Sequence, residues 1–129
     1  MNVVEQLIAL KQAETVRLDS EKLANLYRQL GEAEAENVVC RAVEELAVRL
    51  THCERLWRQA KLRDLRKSAR SLIAISDQIG LVAMARVAGD VTECVDNEDS
   101  AAIAATLFRL IRIGEGSLTA VWDQRDLSL

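Results

Sequence analysis

One histidine, three cysteines and two oppositely charged runs are the residues of this chain with chemistry of their own. His52 is the sole histidine, and an imidazole nitrogen can take up a phosphoryl group. It stands beside Cys53 with no lysine three residues on. Cys40, Cys53 and Cys94 make an odd count without a C-x-x-C pair, and Cys40 and Cys53 fall on different arcs of one helix, so neither a disulfide framework nor a metal site is expected. They read as small apolar side chains, Cys53 in the core, in a protein of a reducing, cytoplasmic compartment. From Arg55 to Arg70 the chain carries Arg55, Arg58, Lys61, Arg63, Arg66, Lys67 and Arg70 against the single acid Asp64. From Asp90 to Asp99 it carries Asp90, Glu93, Asp96, Glu98 and Asp99 and no base. The net charge of −3 conceals this segregation. A basic patch speeds encounter with an acidic partner and sets its orientation; the same residues also fit an ordinary solvated helix surface. No glycine-rich phosphate loop, nucleophile elbow or pair of facing carboxylates is present, so neither catalysis nor a cofactor is expected. The acidic balance and the lack of interleaved aromatics on the basic helix argue against nucleic acid as a partner.

The elements that must position these residues are helical. The chain has 129 residues, half of them hydrophobic and 3% aromatic, so its core must be aliphatic. There is no proline, and alanine, leucine, glutamate and arginine, which lose little freedom in a helix, dominate. No β-branched run alternates with polar residues over strand length, so no sheet is expected. The amino terminus MNVVEQLIALKQ does not read as a secretory signal. The most apolar stretch, Leu72 to Val91, is interrupted by Asp77 and Arg86, which argues against a membrane span and for a soluble protein.

Periodicity and punctuation predict helices over about Val3–Val16, Asp19–Gly31, Glu32–Ala60, Leu62–Gln78, Leu81–Val95 and from the DNEDS turn onward. Asp19 reads as an N-cap and Gly31 as a stop, around a buried face of Leu23, Leu26, Tyr27 and Leu30. The long helix repeats Ala35, Val39, Ala42, Val43, Leu46, Leu50, Cys53 and Trp57. Its exit, Gln59 to Asp64, has neither glycine nor proline to mark it. Asp99 or Ser100 caps the last helix, which turns Ile103, Leu107, Leu110, Ile111, Leu118 and Val121 inward. Gly114 and Gly116 weaken its later turns by roughly 1 kcal/mol each relative to alanine, which predicts fraying or a bend.

At 100° per residue, Leu65, Ala69, Leu72, Ser76 and Ile79 share one arc of the fourth segment, while Arg63, Arg66, Lys67, Arg70, Ala74 and Asp77 share the opposite one. The stretch LRKSARSLIAISDQIGLVAMARVAGDVTE, Leu65 to Glu93, resembles the motif region of the histidine-containing phosphotransfer (HPt) domains of bacterial phosphorelays. That motif reads A-H-x-x-K-G, with a second glycine six residues after the first and an apolar ladder beyond. Ala69 falls on the alanine, Leu72 on the apolar residue before the lysine, Gly80 on the second glycine, and Met84, Val87 and Val91 on the ladder. Arg70 falls on the phospho-accepting histidine, Ile73 on the lysine and Ala74 on the first glycine. The resemblance covers roughly Leu18 to Trp122.

The resemblance implies one all-α domain over residues 1–129: a helical extension (1–17), an antiparallel four-helix bundle (18–122) and a tail (123–129). It also implies a docking face made by Arg63, Arg66, Lys67, Arg70, Ile73, Ala74 and Asp77, facing a response-regulator receiver domain or a histidine kinase in two-component signalling. A guanidinium stays protonated and has no free lone pair to attack an aspartyl phosphate, so Arg70 cannot carry the phosphoryl group. The expected role is therefore binding or modulation without phosphotransfer. Two alternatives remain: true phosphotransfer through His52, and a structural bundle that forms a homodimer through the segment before Asp19.

Overall fold

The computed structural model describes residues 19–127, in which the regular elements are α1 (Ser20–Leu30), α2 (Glu32–Arg58), α3 (Leu62–Gln78), α4 (Val82–Asp96) and α5 (Ser100–Leu127). The all-α class is as expected, with no strand among the described residues. No helix among them is long and apolar enough to cross a membrane. The helix expected over Val3–Val16 lies outside the described residues. The last helix runs on past Trp122 to Leu127, through Gly114 and Gly116.

Local chemistry starts and stops these helices. The Asp19 carboxylate accepts the Lys22 N–H at 3.2 Å to open α1, and the Asp99 carboxylate accepts the Ala102 N–H at 3.1 Å to open α5. Three turns then share one stop. At the end of α2, Ala60 N–H donates to Trp57 O and Lys61 N–H to Leu56 O. At the end of α3, Gly80 donates to Asp77 and Leu81 to Ser76; at the end of α4, Glu98 donates to Val95 and Asp99 to Cys94. Each is a Schellman pair, which requires a left-handed residue in the turn. Those residues are Ala60 (φ +58°), Gly80 (φ +79°) and Glu98 (φ +54°), only one of them a glycine. The unmarked α2–α3 turn is thus a glycine-type stop built with alanine.

Helices joined by such short turns pack antiparallel. Between α2 and α3, Cys53 Sγ donates to Ser68 Oγ at 3.4 Å and Arg49 Nη1 to Ser71 Oγ at 2.8 Å, so numbers rise on one helix as they fall on the other. Burial pushes the Cys53 thiol pKa up. Arg66 meets Asp96 and Ile73 meets Gly89 across α3 and α4, and α4 packs on α5. On α5, Gly114 lies against Leu50 of α2, and Phe108 meets Trp57 edge-on at 5.2 Å. Helix α1 packs on α2, and its capping residue ties it to the α3–α4 turn through Asp19 N–H to Gly80 O at 2.8 Å.

The core is aliphatic, as the composition required. Leu46, Leu65, Leu72, Ile79, Leu81, Met84, Ile103, Leu107 and Leu110 are fully buried, each such side chain contributing about 1.5–3 kcal/mol. The arc Leu65, Ala69, Leu72, Ser76 and Ile79 is buried throughout, and Arg70 on the other side is exposed. Two expectations need correction, and one glycine has a further role. Leu30 is exposed, because it is the last residue of α1 and the first turn of α2 beside it is itself solvent-facing. Leu56 rather than Trp57 closes the buried stripe of α2; the larger indole covers the rim against Phe108. Gly114 is a buried packing position: a Cβ there would lie 2.5 Å from Leu50 Cδ1.

Candidate docking face

The outward arc of α3 is one surface in sequence and three in space, because α3 lies between α2 and α4. Arg63, Arg70, Ala74 and Asp77 run down its exposed middle. None of Arg63, Arg70 and Asp77 has an ion-pair partner among the described residues. These two cations and one carboxylate are exposed, with Arg63 near the start of the helix, Arg70 at its middle and Asp77 near its end.

Arg66 and Ile73 occupy the α4 side of the arc. Arg66 donates to Asp96 through Nε (2.6 Å to Oδ1) and Nη2 (3.0 Å to Oδ2), a two-pronged pair that suits a guanidinium fork. This bond is the main reason that the Asp96 carboxyl is held below the usual carboxylate range and the Arg66 pKa is raised. Ile73 is half-buried and packs on the core near Gly89, where the small residue leaves room for it. Its side chain belongs to the α3–α4 seam more than to the open face.

Lys67 occupies the α2 side and lines an open cleft between α2 and α3. The structure thus brings Arg63, Arg70, Ala74 and Asp77 together as an open stripe, and commits Arg66 and Ile73 to α4 and Lys67 to the cleft. The separation of basic and acidic runs is partly closed by the Arg66–Asp96 pair, a contact between residues too far apart in sequence for periodicity to reveal.

His52 is exposed on α2 at the edge of that cleft, with no hydrogen-bond partner among the described residues. None of the three cysteines is in a disulfide, and no cluster of metal-ligating side chains occurs among the described residues. Comparison of the chain with protein-family models, with characterised proteins and with solved structures finds no match, and nothing in it indicates the HPt family.

Proposed function

We propose that the chain is an HPt-like signalling module without its phosphoryl-carrying residue. In this reading α2 to α5 form the family's antiparallel four-helix bundle, and the open stripe of α3 docks a response-regulator receiver domain or a histidine kinase. The observation that carries the proposal is the placement of Arg70: an exposed, unpaired guanidinium at the position where the motif keeps its histidine, on a helix whose opposite arc is fully buried. The reading rests on the residue pattern from Leu65 to Glu93 together with that exposure.

The chemistry expected of such a face is recognition alone. Arg63 and Arg70 offer fixed positive charge to a phosphorylation site built of carboxylates, and neither side chain can accept a phosphoryl group. The protein would occupy a receiver or kinase surface and alter phosphoryl flow by competition, with no catalytic step of its own. A second reading is favoured by one observation, the exposed ring of His52, which leaves the only imidazole accessible to a phosphodonor. Incubation of the native protein with a receiver carrying labelled phosphate separates the two. Binding without transfer of label supports the first; label on His52 replaces it with the second.

A further inference from the structure

The cleft between α2 and α3, on the opposite edge of α3 from the Arg66–Asp96 pair, is open and about 430 Å³ in volume. That lies within the range of small-molecule sites, about 300–1,000 Å³. Its floor includes Leu56 and Ser68, both buried. Its walls carry Arg49 and His52 from α2, Lys67 from α3 and Lys61 from the turn between them, against one acid, Asp64.

These groups differ in how far they are already satisfied. Arg49 donates to Glu45 through Nε and Nη2 at 3.0 and 2.8 Å and to Ser71 through Nη1 at 2.8 Å, which fixes its orientation and balances its charge. The Lys61 and Lys67 side chains have no ion-pair or hydrogen-bond partner among the described residues, although Asp64 lines the same cleft. Two unpaired ammonium groups, each with three donors, therefore face one cleft beside an imidazole with a free ring. Asp64 offsets one of the two ammonium charges across the cleft without bonding to either, so the cleft keeps a surplus of one positive charge and a full set of ammonium donors. A phosphate group supplies the compensating charge, and its oxygens outnumber those of a carboxylate, so it accepts from both ammonium groups at once.

We propose that this cleft binds a phosphate group, either free or as the monoester of a small molecule, with Lys61 and Lys67 as its donors and His52 at its edge. The proposal does not depend on the docking stripe, since neither Arg63 nor Arg70 lines the cleft.

The single histidine makes the test direct, because its ring resonances in an NMR spectrum belong to His52 alone. The full chain is titrated with inorganic phosphate and, separately, with glycerol phosphate, with sodium chloride at matched ionic strength as the blank. The expected result is a saturable shift of the His52 ring signals with the phosphates and none with chloride. Lys61→Gln with Lys67→Gln should weaken binding by about tenfold or more, and Lys67→Gln alone by at least about threefold should the double variant fold poorly. Arg41→Gln with Arg109→Gln, two exposed positions outside the cleft, removes the same charge and should change binding by less than about twofold. Equal affinity for both phosphates assigns the site to the free anion, and tighter binding of glycerol phosphate assigns it to a monoester. Absence of saturation, an equal response to chloride, or equal weakening by the two charge-removing pairs would overturn the proposal.

Discussion

Arg66 and Asp96 are joined across the α3–α4 seam by two hydrogen bonds, at 2.6 and 3.0 Å, which makes them the point of contact between the basic and acidic runs. The bond depresses the Asp96 pKa, so the folded state favours its ionised form. Its contribution to stability is therefore present above the ordinary aspartate value of about 3.9 and is lost as pH falls through the lower folded-state value. Both side chains are solvent-accessible, so the effect is modest. Urea midpoints should place the native protein above Asp96→Asn at pH 7, with the gap closing toward about pH 2. A gap that stays constant across that range would mean that the pair does not form in solution.

The three Schellman turns predict opposite outcomes for opposite substitutions. Ala60 holds a left-handed conformation that costs a non-glycine residue about 1–2 kcal/mol, partly offset in a glycine variant by a looser unfolded chain. Ala60→Gly should therefore raise stability by up to about 1 kcal/mol. Gly80→Ala meets the same backbone cost and adds a Cβ that would lie 2.7 Å from the Asp19 carbonyl oxygen, a backbone atom with little room to move. A loss of at least about 2 kcal/mol is expected by denaturant unfolding. Equal effects at the two positions would show that the left-handed turns are not shared.

Gly114 and Leu50 give a test of how α5 closes on α2. Gly114→Ala should destabilise by about 1 kcal/mol, because the gain in helix propensity of about 1 kcal/mol is outweighed by overpacking against Leu50, at about 1–3 kcal/mol. In a Leu50→Ala background the same substitution should become stabilising. A double-mutant cycle reads this as a change of sign. A Gly114→Ala effect of the same sign and size in both backgrounds would remove the contact.

Leu46, Leu72 and Leu107 come from α2, α3 and α5, and all three are fully buried. Alanine at any of them should cost about 2–5 kcal/mol by chemical denaturation. Losses under about 0.5 kcal/mol at all three would contradict the assigned helix faces.

Much of this fold was legible because its signals are local. The Asp19 cap, the Gly31 stop and the arc from Leu65 to Ile79 each depend on residues within a few turns of one another. What stayed hidden depends on contacts between helices. Periodicity placed Leu30 inward but carried no information that α2 leaves it uncovered. Gly114 read as a weak point of a helix because its partner, Leu50, lies on another element. The α2–α3 turn was unmarked because alanine occupies a position where glycine gives the usual signal. The candidate face was legible as an arc and not as a surface: sequence gave all seven positions equal standing, whereas Asp96, Gly89 and the α2–α3 cleft divide them.

The central claim concerns Arg63 and Arg70, the cations of the open stripe, which have no ion-pair partner among the described residues, and the measurement closest to it is the association rate with a purified receiver domain from the same cell. Arg66 is left intact, since its loss would also disturb Asp96. Arg63→Glu with Arg70→Glu should slow association by about tenfold at low salt and change dissociation little, and the residual binding should depend less on salt than that of the native protein. An association rate unchanged by the double reversal would contradict the account.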